Sequence, residues 1–443
     1  MAFNGELYIQ KKLKTPAVHH ESYKQLWETK WKKPCDMGVY PFMFGCTKDF
    51  QPVVDELVKR DFKEPYDWDE YAPVYFPKAE ELVSEAEKAE KEGHKEKASE
   101  LYLYEPEASV CRVPHLAIPS TEIRKTEACV DGRQEGLSQG SEVRRRSQVV
   151  QLSRLLNSHC ASLREHPVHE VMVPHKHRTE GEGDVIPIYH QLPEGASKEN
   201  PAPTVLIMTG LDGYRTELVT WAEGWRQKGV GVIIVEIPGT GDSPALPKDP
   251  TSPDREWSSL LDWADSQEGI DSKRICVWAF STGGFYAIRL AHTHPDRLAG
   301  VVALGGGTHH MFDKDWLDNV NHLEYPFDLA STLAYKFGYG NDLETFKKEA
   351  SDKFSLLKDG TLDKPECARL FLVSGVEDEI FPIDDYYLAI CHGAPKEVRF
   401  VPDRKHMGEP ESFVIILKWI YKLFGIEGNP VDQLKTIPFK PKY

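Results

Sequence analysis

Residues 274–294 read RICVWAF followed at once by STGGFYAIRLAHTH. The first run suits a strand buried on both faces, and the second a helix that starts without an intervening loop. Ser281 stands at the junction. In a G-x-S-x-G turn the serine sits on a sharp strand-to-helix corner, and small flanking residues let strand and helix approach closely. Here the run is Ala279-Phe280-Ser281-Thr282-Gly283-Gly284, so alanine replaces the first glycine but keeps a small side chain. A helix N-terminus presents N–H groups and a partial positive charge to an anion. The backbone N–H of Thr282 is therefore the expected first donor to an oxyanion. The competing reading is an N-cap serine before a glycine-rich helix start. The position directly after a buried strand favours the nucleophile.

Outward from this corner the same rhythm repeats. VHEVMVPH and DVIPIYHQL read as an antiparallel pair, and TVLIMTG, VGVIIVEIPG and LAGVVALGGG as buried strands. Amphipathic helices are expected over TELVTWAEGWRQKG and DREWSSLLDWADSQ. After Gly307 the pattern breaks, then resumes with RLFLVSG, a helix near 384–391, EVRFVP and the helix SFVIILKWIYKLFG. Apolar strands alternating with helices predict an α/β fold with a mostly parallel sheet covered on both faces. The expected catalytic domain is 166–307 with 367–430, interrupted by a lid insertion at 308–366 and followed by a tail, 431–443. Residues 1–165 differ in kind. They are aromatic-rich over 20–76, and KAEELVSEAEKAEKEGHKEKASELYL predicts two helices parted near Gly93. They are expected to form a helical N-terminal cap, irregular over 106–165, where neither period holds for long.

A serine hydroxyl needs a base to become a useful nucleophile. In α/β-hydrolases the chain order is serine, acid, histidine, and two later strand ends supply the partners. RLFLVSG runs into Val376-Glu377-Asp378-Glu379, and EVRFVP into Asp403-Arg404-Lys405-His406-Met407-Gly408. Asp378 is the expected orienting acid, with Glu377 and Glu379 adjacent, and His406 the expected base. The second oxyanion donor should lie in Gly210-Leu211-Asp212-Gly213-Tyr214, with the Leu211 N–H favoured. The fold class expected is thus an α/β-hydrolase fold with a mostly parallel central sheet.

The formal net charge of -16 disfavours nucleic acid and anionic membrane surfaces as partners. The start, MAFNGELYIQKKLK, lacks a secretory pattern, and the longest apolar runs fall short of the ~20 residues of a membrane span, so a cytoplasmic protein is expected. The eight cysteines form no C-x-x-C pair and are expected to be reduced thiols. His19-His20, His175-Lys176-His177 and His309-His310 lack the H-E-x-x-H frame, so no metal is expected. Pro238-Gly239-Thr240-Gly241-Asp242-Ser243 lacks the phosphate-loop pattern and reads as a turn after a strand.

Together with the three rim loops, the runs GLDGYRTE at 210–217, PVHEVMVPHKH at 167–177 and GEGDVIPIY at 181–189 carry a resemblance. The chain resembles fungal yellowish-green pigment hydrolases of the Ayg type. It is more distantly similar to fermentation-respiration-switch-type hydrolases and to carbon–carbon hydrolases that split β-diketones. The resemblance covers 1–105 and 166–443. It implies a small-molecule polyketide substrate: a heptaketide naphthopyrone shortened to tetrahydroxynaphthalene, with release of an acetoacetate-type fragment, in dihydroxynaphthalene-melanin biosynthesis. It implies no cofactor and a homodimer. Asp212, Tyr214, Arg215, Asp313 and Asp315 are candidate substrate contacts. The alternatives are a general carboxylesterase or peptidase on the same machinery, and a catalytically dead binding protein on a hydrolase scaffold.

Overall fold

The computed structural model describes residues 20–37, 42, 46–63, 68–103, 166–320 and 325–437. The irregular stretch expected over 106–165 lies outside the described residues. Those described divide into two compact units, one within 20–170 (with Ile437) and one within 171–436.

In the N-terminal unit, α1 (Phe76–Lys91) opens with a proline in its first turn and buries Ala79, Leu82, Ala86 and Ala89 along one stripe. Gly93, at φ +82°, ends it in a left-handed conformation, and α2 (Lys95–Leu103) folds back. Ala86 and Ala89 of α1 meet Ala98 of α2, with Val83 and Leu101 beside them. Elsewhere in this unit the hydroxyls of Tyr23, Tyr71 and Tyr75 bond one another at 2.6–3.1 Å, which satisfies buried phenols that burial alone would penalise.

The second unit is built on one eight-stranded sheet: β1 (His169–Pro174), β2 (Val185–Gln191), β3 (Ala202–Met208), β4 (Gly231–Val235), β5 (Ile270–Phe280), β6 (Gly300–Leu304), β7 (Leu370–Gly375) and β8 (Glu397–Val401). Their spatial order is β1-β2-β4-β3-β5-β6-β7-β8. β2 pairs antiparallel with β4, and every pair from β4 through β8 is parallel. This is an α/β-hydrolase fold. Every residue of β4, β6 and β7 is buried, as a sheet covered on both faces requires. The cover includes α3 (Ser252–Asp265), α4 (Thr282–Thr293), α6 (Asp384–Ile390) and α7 (Glu411–Phe424), with α5 (Leu343–Phe354) lying in the segment after β6. Each fully buried aliphatic or aromatic side chain contributes about 1.5–3 kcal/mol relative to exposure, so this core dominates the unit's stability.

One segment departs from its sequence pattern. The single helix expected over TELVTWAEGWRQKG is three short pieces: helical Arg215–Leu218, a tighter 3₁₀ turn Val219–Trp221, and helical Ala222–Arg226. Thr220 Oγ donates to the Glu217 carbonyl at 3.2 Å, and the Trp221 ring packs edge-on to Trp278 at 4.6 Å. A local side-chain bond and a tertiary aromatic contact in the middle of the segment thus override the helical period. The insertion expected at 308–366 packs Phe312, Phe337, Phe346 and Phe354 into the same core cluster as Phe285 and Tyr286 of α4. In the expected tail, Pro430–Leu434 is helical, and Tyr421 of α7 donates to Gln433 at 3.0 Å. Among the described residues, no helix is long and apolar enough to cross a membrane.

Candidate active site

β5 ends at Phe280 and α4 begins at Thr282, leaving Ser281 alone in the corner at φ 53°, ψ -125°. A non-glycine residue in this region is strained and persists only where its surroundings hold it. Ser281 N–H donates to the Leu304 carbonyl at 2.7 Å, and the Ser281 carbonyl accepts from Gly284 N–H at 2.8 Å. The glycines after it are a packing requirement. A Cβ on Gly283 would stand 2.3 Å from the Thr209 carbonyl oxygen, and one on Gly284 would stand 2.8 Å from Gly306 Cα. The corner is therefore wedged between the loops that follow β3 and β6.

His406 reaches the corner from the turn after β8, and Asp378 from the turn after β7. Asp378 is buried. Its Oδ1 accepts from the N–H groups of Ile380 and Phe381 at 2.8 and 2.9 Å, and its Oδ2 accepts from Ser374 Oγ at 2.7 Å. Oδ2 also lies 2.9 Å from His406 Nδ1, and His406 Nε2 lies 2.8 Å from Ser281 Oγ. A carboxylate can only accept, so Nδ1 carries the proton and Nε2 accepts from the Ser281 hydroxyl. The adjacent acids have other roles. Glu379 pairs with Lys405 at 2.7 Å, and Glu377 lends its backbone N–H to the Arg404 carbonyl.

The loop after β3 runs against this corner: a Cβ on Gly210 would lie 3.2 Å from Ser281 Cβ. Leu211 follows, with its side chain buried, while Asp212 and Tyr214 are half-buried on the same loop. Thr282 is the first residue of α4 and is buried. Arg215 has partners of a different kind. It is buried, and its Nη1 donates to Glu236 at 2.6 Å and to Asp242 at 3.0 Å. Asp313 accepts from His310 Nδ1 at 2.6 Å and from Ser351 Oγ at 3.3 Å. Burial works against both charges, but this contact lifts the His310 imidazole above its ordinary range and holds the Asp313 carboxyl below its own. Asp315 is exposed, on the short helix Lys314–Asn319.

Two features escape sequence reasoning. Half-buried Glu409 follows the His406 turn, and burial pushes its carboxyl up to about 7, against the opposing pull of His406. Buried Asp385 of α6 accepts from the N–H groups of Thr308, His309, His310 and Met311 at 2.6–3.1 Å, fixing the loop after β6. A carboxylate seven positions beyond an acid turn gives no local signal of such a role. The runs at 167–177 and 181–189 prove to be a tether. Glu182 accepts from Arg255 Nη2 of α3 at 2.7 Å, and His175 Nδ1 meets Ser259 Oγ at 2.9 Å.

Residues 168–420 match the family model described as Esterase FrsA-like. Esterase FrsA of Serratia proteamaculans (strain 568) is 25% identical over 229 residues, covering 51% of this chain and 52% of that protein. Esterase FrsA of Klebsiella pneumoniae subsp. pneumoniae is 24% identical over 248 residues, covering 55% and 57% respectively. The chain thus spans about half the length of the curated relatives it matches. Among solved structures, 2,6-dihydroxy-pseudo-oxynicotine hydrolase aligns with a TM-score of 0.60 at 20% identity, covering 90% of this chain and 98% of that one. AbyA5 aligns with a TM-score of 0.57 at 17% identity, covering 87% and 98%. At these identities the structural likeness is one of fold.

Proposed function

Because the chain belongs to the FrsA-like esterase family, we propose that it is a serine hydrolase, with Ser281 as nucleophile, His406 as general base and acid, and Asp378 as the group that orients His406. The observation that carries this reading is His406 bridging Ser281 Oγ and Asp378 Oδ2 at 2.8 and 2.9 Å. Ser281 Oγ attacks a substrate carbonyl carbon while its proton passes to His406 Nε2. The oxyanion is held by the backbone N–H groups of Thr282 and Leu211, an arrangement worth several kcal/mol of barrier. His406 then protonates the departing group, and a water deprotonated by the same imidazole releases the acyl group from Ser281.

For the substrate, the resemblance of the runs at 167–177, 181–189 and 210–217 supports carbon–carbon cleavage of an acylated naphthopyrone. Here the leaving group is a carbanion stabilised by the aromatic polyketide, and it takes the proton from His406. The products are tetrahydroxynaphthalene and an acetoacetate-type acid, and the protein acts as a cytoplasmic homodimer. A second reading, simple ester hydrolysis, is favoured by the esterase description of the matching family. Product analysis on a heptaketide naphthopyrone beside short p-nitrophenyl esters separates them. Aromatic product from wild type but not from Ser281→Ala is expected. Rapid ester turnover with the naphthopyrone untouched would overturn the polyketide reading. No turnover of either substrate, with no labelling of Ser281 by a serine-reactive phosphonate, would overturn the hydrolase reading.

A further inference from the structure

His309 and His310 carry no metal frame in sequence, yet the fold brings a third donor to them. One ligand atom each from His309, His310 and Asp313 lies within 4.8 Å of the others. Imidazole nitrogen and carboxylate oxygen together suit a divalent transition ion more than magnesium or calcium. The donors sit on a tight turn: His309 precedes the 3₁₀ turn His310–Phe312, and Asp313 follows it. The turn is held from below by Asp385, which accepts the backbone N–H groups of both histidines. The first histidine is oriented from outside, its Nδ1 lying 2.6 Å from Ser355 Oγ. Outer contacts of this kind fix ring orientation in metal sites and are part of what makes a ligand set rather than a chance cluster.

Access comes from the Asp313 side. Asp313 and Ser351 line an open surface cleft of about 690 Å³. Lys314, Lys347, Lys348 and Lys358 also line it; Lys358 is paired with Asp352 at 2.7 Å, and Lys314 and Lys347 share Asp318, which offsets part of their charge where an ion would enter. We propose that His309, His310 and Asp313 bind a divalent transition cation of the Zn²⁺ class, with solvent completing its coordination. The ion enters between His310 and Asp313, whose present 2.6 Å contact opens as each donates to the metal at about 2.0–2.2 Å.

Ser281 is not among the proposed ligands, and the test uses the full chain stripped with a chelator. Titration calorimetry with Zn²⁺ should give one equivalent per chain in wild type and in Ser281→Ala. His309→Ala and Asp313→Asn should each weaken binding about tenfold or more. Co²⁺ should give the visible absorption of a low-coordinate nitrogen–oxygen site, lost in both variants. Thermal unfolding monitors folding, and the half-exposed His309 also admits His309→Gln if the alanine variant is unstable. No stoichiometric Zn²⁺ binding by wild type, or binding equal in wild type and in folded His309 and Asp313 variants, would overturn the proposal.

Discussion

Asp378 and Glu236 are both buried carboxylates lying just beyond the end of a parallel strand, β7 and β4 respectively. Asp378 faces an imidazole, with Ser374 and two backbone N–H groups completing its shell. Glu236 faces a guanidinium: Arg215 Nη1 lies 2.6 Å from its Oε2, and the N–H groups of Arg215 and Asp242 donate to the two oxygens. Burial is the same, and the partner decides the use. An imidazole takes and returns a proton near neutrality, so a carboxylate behind it tunes a moving charge. A guanidinium never gives its proton up, so a carboxylate against it is a fixed clamp. Both loops are rich in polar residues in the sequence, and only the chemistry across the gap separates a relay from a rivet.

The sharpest way to break that contrast is to neutralise each carboxyl. Asp378→Asn should lower kcat by about four orders of magnitude, because the amide favours the wrong imidazole tautomer, and the midpoint of urea unfolding should move little. Glu236→Gln should do the opposite, holding kcat within about tenfold while lowering the unfolding midpoint. A severe kcat loss in Glu236→Gln with unchanged stability would make the two loops chemically alike. Arg215→Met, which strands Glu236 and Asp242 without their cation, should cost about 3–5 kcal/mol by urea denaturation, and adding Glu236→Leu should recover part of it.

A third buried group sharpens the comparison by having, among the described residues, no charged partner at hydrogen-bond distance. His292 of α4 lies 2.8 Å from the Ile288 carbonyl, and burial, aided by Lys396 and Lys364, pulls its imidazole down to about 4. Between that value and its ordinary 6.5 the unfolded chain binds a proton that the folded chain refuses. Stability should therefore be flat in this group's contribution above about pH 6.5 and fall by about 3 kcal/mol as pH drops toward 4. Unfolding midpoints of wild type and His292→Leu across that range check the sign, the variant showing the shallower acid-side loss. The smallest effect belongs to Glu409, whose negative charge, once ionised, favours a protonated His406. Glu409→Gln should shift the acid limb of the kcat/KM profile to lower pH by less than about one unit.

Much of this was legible because local chemistry and global fold agree. Continuous apolar runs mark the central strands, and each rim loop announces itself by a strand followed by small or polar residues. Ser281, Asp378 and His406 could be singled out because each follows a strand, in one chain order. Arg215 illustrates the limit. It directly follows the loop that presses on Ser281, so adjacency suggests a substrate contact, and its side chain pairs with Glu236 and Asp242 of the turn after β4. Nothing local tells a side chain which of two neighbouring strands will answer it. The broken helix over 215–226 failed for the same reason, since Trp221 follows Trp278 rather than the helical period. The Asp313 partnership with His310 was readable only as a short-range spacing, and its third member, Ser351, comes from α5.

One short segment, 378–385, fastens two rim loops at once. Its first residue holds the His406 ring, and its last gathers the amides of residues 308–311. A fluctuation that lifts this segment unhooks the two attachments together, so the amides of the 308–311 turn and the alignment of the imidazole share a single opening event. Deuterium uptake at those amides would then keep time with loss of turnover as denaturant is added, well before the sheet itself gives way.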